Sequence, residues 1–381
     1  MGTCKFEIHY FNDNQENRMT RTQRTSQGND FLNLTNSRTN EKEKEIKNNF
    51  NSKIPELGKI IHIKDYEQLI NDEILKYISE NKLNYKQYLP KDLITYSSFP
   101  IKFKNNNVYY GNWNEYNEME GYGVYYINEH QVVTEGVWIK GNIIFGRIFF
   151  VNGDIYEGEM KNSVPHGKGK FQFHSGEIYN GDFDMGEMTG TGVLIFSDKT
   201  IYKGEIKNGI FNGKGQMKWN YGIEYNGYFM DSCLSGKGKI FNIQGEEYDG
   251  NFEQNEFHLE GKYSFNNGDS YEGSFEYGIK KGKGIYKRND KIIFEGIWNN
   301  DLPNGNGFIY YEGNKYKGFW RNGNLIGNIE CISGNIDKIS NIDLNIKPFK
   351  PNINPNSLPH LSTTENNISQ FMQNTTEFNY E

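Results

Sequence analysis

Aromatic and glycine residues recur along the middle of the chain at a fixed spacing. An aromatic residue followed two positions later by Gly opens six stretches that are 23 residues apart. These openings are Tyr156, Tyr179, Tyr202, Tyr225, Tyr248 and Tyr271. Further openings in nearly the same register are Tyr109, Thr134, Phe294 and Tyr316. Because self-similarity at a fixed period is the signature of a repeat architecture, the pattern predicts ten units over residues 109–331.

Apolar and polar positions alternate within each unit. If the opening residue is position one, position three is Gly in all ten units and position five is large and apolar. The position-five residues are Trp113, Trp138, Met160, Phe183, Ile206, Phe229, Phe252, Phe275, Trp298 and Trp320. Odd positions of a strand point to one face and even positions to the other. A polar turn and a second alternating run follow, so each unit predicts a β-hairpin with an aromatic face and a polar face.

The repeated glycines need a physical reason, because Gly weakens a strand interior. Close approach of a neighbouring aromatic ring over the bare backbone supplies one. No helical pattern lies between the units, so hairpins would stack side by side and bury apolar surface where neighbours meet. At about 4.8 Å per strand, ten units would extend roughly 95 Å. The fold class predicted is an all-β repeat, an elongated single-layer antiparallel sheet of about ten stacked hairpins, with a short N-terminal helix and disordered termini.

The unit from Tyr156 to Gly176 resembles the MORN (membrane occupation and recognition nexus) repeat, with its Tyr-x-Gly-x-aromatic opening, turn and Gly-x-Gly. The resemblance covers residues 109–331 and implies a hairpin array. Departures from the pattern are Gly121, Gly146, Leu259 and Ile329. Some proteins with this repeat also carry a lipid kinase or methyltransferase domain, but the segments flanking the array have no pattern for one. The resemblance implies scaffolds of cilia, of the cell cortex and dividing cell, or of membrane contact sites.

The remaining chain divides into three segments by composition. Residues 1–58 and 332–381 are rich in Asn, Thr and other polar residues, which predicts disorder, while the array occupies 100–331. Residues 59–99 form a short helical segment. Within it, one helix is expected from Asp65 to about Glu80, capped by Asp65 and ended by Asn81. Its apolar face would cap the first repeat or lie along the aromatic face; alternatively, the helix binds a partner. The apolar residues of that face are Leu69, Ile70, Ile74, Leu75, Tyr77 and Ile78.

The charge of the array and the residues of the amino terminus indicate which kinds of partner to expect, nucleic acid or membrane. The array carries 22 basic and 30 acidic groups, and this excess of negative charge argues against nucleic acid as a partner. No apolar stretch is long enough to cross a bilayer, and no signal peptide opens the chain. Gly2 and Cys4 suit dual acylation, which would tether the chain to a membrane, although Phe6 replaces the usual Ser or Thr. The alternative is an ordinary amino terminus.

Residues that could carry chemistry are few. Three scattered cysteines give neither a disulfide framework nor a zinc site, which indicates a reducing compartment. His166 and His174 have no metal-ligand spacing, and the recurring Gly-Lys-Gly lacks the Ser or Thr of a phosphate loop. Glu157 and Glu159 share a face but no cavity that would shift their pKa values. We therefore expect no enzyme activity, no metal and no cofactor.

The sequence favours a structural scaffold that binds protein partners along an exposed aromatic face. The expected anchors are Trp113, Trp138, Trp298 and Trp320, because Trp is enriched among interface hot spots; alternatively, they only stack on glycine. A second hypothesis is direct phospholipid binding through the repeats, which the acidic array disfavours. A third is homodimerisation through residues 294–331, whose edge strand could pair with a second copy. The expected location is the cytoplasmic side, at the cytoskeleton, a cilium or a membrane.

Overall fold

A computed structural model describes residues 20–23, 58–91, 93–97 and 99–334. The chain divides into two compact units, residues 1–187 (unit 1) and 188–381 (unit 2). Antiparallel strands joined by short turns build both units, so the predicted β-hairpin repeat fold is confirmed. The predicted disorder of residues 1–58 and 332–381 concerns residues that lie almost entirely outside this description.

Unit 1 contains eleven whole strands and two short helices among its described residues. The strands are β1 (Thr20–Gln23), β2 (Gly58–Ile60), β3 (Ile94–Ser97), β4 (Ile101–Phe103), β5 (Val108–Trp113), β6 (Met119–Ile127), β7 (Val132–Ile139), β8 (Asn142–Phe149), β9 (Ile155–Lys161), β10 (Val164–Gln172) and β11 (Ile178–Asp184). The helices are α1 (Ile63–Glu67) and α2 (Asp72–Glu80), followed by a 3₁₀ turn (Lys86–Tyr88). Strands β4 to β11 pair antiparallel in chain order.

The expectation of one helix from Asp65 to Glu80 is wrong. The structure has two helices, and the first begins at Ile63, so Asp65 lies inside it and does not cap it. The first helix ends after Glu67, and Asn71, with a non-helical ψ of 135°, caps the start of a new helix. Its side-chain oxygen accepts a hydrogen bond from the Glu73 backbone N–H at 2.8 Å. Asn81 ends the second helix, as expected.

Unit 2 consists of strands only among its described residues. They are β12 (Glu187–Ile195, whose first residue belongs to unit 1), β13 (Ile201–Lys207), β14 (Ile210–Lys218), β15 (Glu224–Met230), β16 (Cys233–Phe241), β17 (Glu247–Glu253), β18 (Glu256–Ser264), β19 (Asp269–Glu276), β20 (Ile279–Arg288), β21 (Lys291–Asn299), β22 (Leu302–Tyr311), β23 (Asn314–Arg321), β24 (Asn324–Leu325) and β25 (Glu330–Ser333). Strands β12 to β23 pair antiparallel in order, and β24 and β25 both pair with β23.

One row of glycines crosses the sheet of unit 2 and explains the repeated position three. Gly204 pairs with Gly215, and the row continues strand by strand to Gly318. A Cβ on Gly204 would lie 2.5 Å from the Gly215 Cα and 2.6 Å from the Tyr202 hydroxyl oxygen. No side chain fits there, because the tyrosine ring lies flat over the backbone, as the sequence predicts.

The turns within hairpins connect each repeat to the one before it. Asn208 and Gly209 both have positive φ, of 51° and 75°, which suits a two-residue hairpin turn. The Gly209 N–H donates to the Met188 carbonyl at 2.9 Å, and the equivalent bond joins Gly278 to Phe257 at 2.8 Å. Each turn therefore satisfies a backbone carbonyl of the preceding hairpin and fixes the stacking of repeats.

Candidate protein-binding surface

The aromatic face is filled by the repeats' own rings. The Tyr202 ring meets the Phe229 ring edge to face, with centroids 5.1 Å apart, and the Tyr202 hydroxyl donates to the Glu205 carbonyl at 2.6 Å. Hydroxyl-to-carbonyl bonds three residues ahead recur at Tyr109, Tyr156, Tyr179, Tyr225, Tyr248 and Tyr271. Edge-to-face ring pairs of this kind contribute roughly 0.5 to 1.5 kcal/mol beyond burial. Burial raises the pKa of Tyr179 and its equivalents, so these hydroxyls stay protonated donors.

The expectation of an exposed aromatic face is therefore wrong. The four expected anchors are all buried among the rings of the aromatic face: Trp113, Trp138, Trp298 and Trp320. The indole N–H groups of Trp138 and Trp298 donate to the Gly123 and Gly284 carbonyls, at 3.3 and 3.0 Å. The rings cover one another because the bare glycine backbone lets each lie close to the sheet. A partner role for these tryptophans stays a prediction, and they offer almost no free surface for one.

In unit 1, α1, α2 and their flanks cover the face opposite the aromatic rings. We call this side of any hairpin, which carries the even positions, the opposite face. Of the two expected placements, docking on the aromatic face is thus wrong, whereas the helical segment does pack on the first repeat, at Val108 and Val124. Tyr66 meets Tyr110 edge to face at 5.5 Å, and Tyr77 meets Phe149 at 5.7 Å. The buried cluster under the helices comprises Tyr66, Ile70, Val108, Val124, Tyr126, Val133 and Phe149. The opposite face of the first hairpins is apolar because it receives the helices.

Arg147 anchors the end of α2 to the sheet. It is buried, and its Nε donates to the Glu157 carboxylate at 2.7 Å while an Nη lies 3.4 Å from Glu135. The same guanidinium donates to the Asn81 carbonyl and lies 5.6 Å from the centre of the Tyr77 ring. Helix ends leave carbonyls without intrahelical partners, and this arginine satisfies one.

Glu135 is the buried carboxylate of this network. It accepts from the Tyr122 hydroxyl at 2.6 Å in addition to its contact with Arg147. Burial raises the pKa of Glu135, and the hydroxyl and guanidinium only partly oppose that shift. Glu157, which shares this face with Glu159, pairs with Arg147. A buried charge of this kind is costly unless its partners stay in place.

Two tyrosines from the 3₁₀ turn region extend the cover in unit 1. The Tyr88 ring stacks on Phe145 with centroids 3.8 Å apart and planes inclined by 11°. Tyr85 stacks on Tyr122 at 4.7 Å. Tyr122 and Phe145 each precede the second glycine of a unit, a position that holds Lys in several later repeats. Residues 58–91 therefore bind the opposite face of unit 1 through apolar and aromatic contacts together with the hydrogen bond from Arg147 to Asn81.

In unit 2 the corresponding face carries no such segment among the described residues. Cross-strand ion pairs occupy part of it, such as Lys218 with Glu224 at 2.7 Å and Lys239 with Glu247 at 2.8 Å. Large apolar side chains are nonetheless exposed there, among them Tyr228 and Phe319. Lys214 lies 5.7 Å from the centre of the Tyr228 ring. This open face is the candidate protein-binding surface.

Lys280 breaks the apolar pattern of the aromatic face. It pairs with Phe275 at a register position that Phe211, Leu234 and Phe257 fill in earlier repeats. Its side chain is 1% exposed. The Nζ lies 5.1 to 5.9 Å from the centres of the rings of Phe265, Tyr271, Tyr286 and Trp298. Burial lowers the pKa of Lys280 to about 8, an effect that Asp301 partly opposes.

Other groups singled out from the sequence lie apart. Gly2 and Cys4 are outside the described residues, so acylation stays a prediction. Cys233 and Cys331 are free thiols, and the described part of the chain has no group of three His, Cys, Asp or Glu residues placed to hold a metal. His174, in the turn after β10, contacts Asp154, which directly precedes β9, at 3.2 Å. No helix in the described ranges is long and apolar enough to span a membrane.

Stacked hairpins with a glycine row and an aromatic ladder define a β-hairpin repeat protein. Comparison with known families is more specific: six segments of the chain match the MORN repeat. The matches cover residues 156–178, 179–201, 202–220, 248–270, 271–291 and 294–314. The units that open at Tyr109, Thr134, Tyr225 and Tyr316 lie outside these matches but follow the same register.

Other comparisons are less informative. No curated protein matches the chain. Among solved structures, the chain is similar to "SAS-4 (dCPAP) TCP domain in complex with a Proline Rich Motif of Ana2 (dSTIL) of Drosophila Melanogaster". The two are 12% identical, the match covers 41% of this chain and 85% of that one, and the TM-score is 0.28. A similarity at this level carries no argument about function.

Proposed function

We propose that this protein is a non-enzymatic scaffold that binds protein partners on the opposite face of its repeats. One observation carries the proposal: in unit 1 that face holds residues 58–91 by burying Tyr66, stacking Tyr88 and anchoring Asn81. Even positions are apolar in some repeats and charged in others, and the hairpin forms in both cases. Where these positions are apolar, as in unit 1, the face binds a peptide segment. The open face in unit 2 is available to segments from other proteins.

A protein partner fits this surface better than a lipid head group. Phospholipid surfaces attract continuous positive charge, whereas lysines on the open face alternate with carboxylates such as Glu224 and Glu247. Exposed tyrosine and phenylalanine side chains among paired charges are typical of protein interfaces. We therefore prefer protein binding over direct phospholipid binding, and the resemblance to MORN-repeat scaffolds supports a role in a cytoskeletal, ciliary or membrane-associated assembly.

The proposal is tested by affinity purification of the full-length protein from its native cells, with a tag-only control. A matched variant reverses two charges on the open face, Lys237→Glu with Lys283→Glu. We expect defined protein partners with the wild type and their loss from the variant. Recovery of no partner above the control, or of the same partners with both proteins, would contradict the proposal. Flotation with anionic vesicles would instead support the lipid hypothesis if the wild type floats and salt prevents it.

A further inference from the structure

A single row of side chains runs across the strands of unit 2 on the open face. Cross-strand register places Lys214 beside Tyr228, Lys283 beside Ile297, and Asn306 beside Phe319. Lys237 occupies the equivalent position on β16, opposite Asn251. Glu260 occupies it on β18, opposite Ser274. We call these residues, together with Leu259, which immediately precedes Glu260, the middle row. From Tyr228 on β15 to Phe319 on β23 the row crosses eight strand spacings, which at about 4.8 Å each is roughly 38 Å, and Lys214 lies one strand further out on β14.

Leu259 is the most unusual member of the middle row. Its φ is +54°, and the equivalent residues in neighbouring repeats are glycines with positive φ, such as Gly236 and Gly282. A leucine in this conformation costs on the order of 1 to 2 kcal/mol relative to a right-handed one. Its side chain is nevertheless 60% exposed, so the fold recovers little by burying it. Backbone strain that is not offset by burial of the side chain indicates a functional role.

The charges along the middle row favour a negatively charged partner. Three of its members, Lys214, Lys237 and Lys283, are exposed, and within the described ranges none lies within ion-pair distance of a carboxylate. Other lysines on this face do have carboxylate partners, among them Lys287, which lies 3.4 Å from Glu272. The row thus combines apolar groups with three unpaired lysines and a single carboxylate, Glu260, which accepts a hydrogen bond from the Ser274 hydroxyl at 2.6 Å.

We propose that the middle row of unit 2 binds an acidic amphipathic helix from a protein partner. Apolar side chains of the helix would pack on Tyr228, Leu259, Ile297 and Phe319, and carboxylates beside them would pair with the three lysines. At about 1.5 Å per residue, a helix of roughly 25 residues matches the distance from Tyr228 to Phe319. Residues 58–91 are the precedent in unit 1, where α2 lies on the corresponding face. This inference rests on the proposed function and names the partner's chemistry.

Two synthetic 25-residue helical peptides provide the probes. Both carry the same leucine stripe; one is flanked by glutamates and the other by lysines. Fluorescence anisotropy with the full-length protein should detect the acidic peptide alone, with affinity that falls as salt rises. Lys237→Glu with Lys283→Glu should weaken binding by about 10-fold or more, since each 1.4 kcal/mol is tenfold. The matched control, Lys199→Glu with Lys291→Glu, changes the same net charge at exposed turn positions and should bind like the wild type.

Leu259→Gly separates binding from folding. Because glycine occupies this position in neighbouring repeats, the variant should unfold at a higher temperature than the wild type while binding the acidic peptide about 3- to 10-fold more weakly. Loss of binding with gain of stability cannot come from misfolding. Unchanged binding by this variant, or equal binding of the acidic and basic peptides, would overturn the proposal.

Two further results would assign the row to a different occupant. Tighter peptide binding after truncation behind Gly334 would mean that residues 335–381 cover it. A mass doubling in light scattering that Leu259→Gly abolishes would mean that a second copy does. If no peptide binds but native partners are still lost with the charge-reversal variant, the helix assignment fails and the scaffold function stands.

Discussion

In unit 1 the opposite face lies beneath α1, α2 and two stacked tyrosines, whereas in unit 2 it carries paired lysines and exposed apolar side chains. The aromatic faces of the two units hardly differ: Tyr156 and Tyr202 make the same hydroxyl bond three residues ahead, at 2.5 and 2.6 Å. Odd positions of the repeat therefore specify the hairpin, and even positions determine whether residues 58–91 can pack on its opposite face. The same fold can cover itself in one region and remain open in another.

Arg147→Ala should have the largest effect and should be confined to unit 1. It leaves the buried carboxylate of Glu135 without its cation and removes the hydrogen bond to Asn81. Breaking a buried ion pair by removing one partner costs about 3 to 5 kcal/mol. Hydrogen exchange should show faster exchange across α2 with little change in unit 2. The control Lys237→Ala, at an exposed position, should stay within about 0.5 kcal/mol of the wild type in urea unfolding. Unchanged protection of α2 would mean that the arginine does not anchor it.

Lys280→Met should stabilise unit 2 at neutral pH. Methionine occupies the corresponding position at Met188, where it is buried. Burial lowers the pKa of Lys280 to about 8, while a lysine in an unfolded chain titrates near pH 10.4. Below pH 8 the amine is charged in both states, and the folded state bears the full desolvation cost, on the order of 3 kcal/mol before ring contacts offset it.

The lowered pKa of Lys280 predicts how the free energy of unfolding depends on pH. Between about pH 8 and 10.4 the unfolded state binds more protons than the folded state, so wild-type stability should rise with pH across that window. Asp301, the carboxylate that acts on Lys280, has a pKa raised by burial. Urea unfolding at pH 7 and 10 should show the slope in the wild type and in the exposed control Lys281→Met, and a reduced slope in Lys280→Met. Equal slopes in all three would exclude a buried charged lysine.

The sequence predicts the aromatic face better than the opposite face, for a physical reason. Tyr202, Gly204 and the Asn208-Gly209 turn interact within one hairpin or with its neighbour, so a 23-residue period captures them. Arg147 and Asn81 lie 66 residues apart, and no period relates them. A signal did exist: Arg147 interrupts an apolar run on β8, and an isolated charge in such a run needs a partner.

The exposed aromatic face was expected wrongly for a related reason. Alternation shows which residues share a face but not how closely their rings pack over glycine. The break between α1 and α2 was missed because the apolar spacing continues across it, while the cap at Asn71 depends on local backbone conformation. Lys280 has no signal in the repeat pattern except that it stands where Phe and Leu stand elsewhere.

Tyr88→Ala tests whether residues 58–91 are held on the opposite face of unit 1 by ring stacking as well as by the helices. The variant removes a ring stacked on Phe145 at 3.8 Å, a contact worth about 0.5 to 1.5 kcal/mol beyond its buried area. We expect faster hydrogen exchange in residues 86–91 and around Phe145, with α2 still protected by Arg147. Tyr116→Ala, at an exposed loop position, is the control and should change neither region. Simultaneous loss of α2 protection would show that the cover detaches as one piece.

The smallest expected effect tests the claim that the aromatic faces of the two units are equivalent. Tyr156→Phe in unit 1 and Tyr202→Phe in unit 2 each delete a hydroxyl that donates to a backbone carbonyl three residues ahead. Removing such a neutral bond costs about 1 kcal/mol. Phe294 is the natural example of a ring at this position without the hydroxyl, and it stays fully buried. Urea unfolding with hydrogen exchange in each unit should therefore give nearly equal losses. A loss confined to unit 1 would mean that its cover reinforces the aromatic ladder through the sheet, and the two faces would no longer be independent.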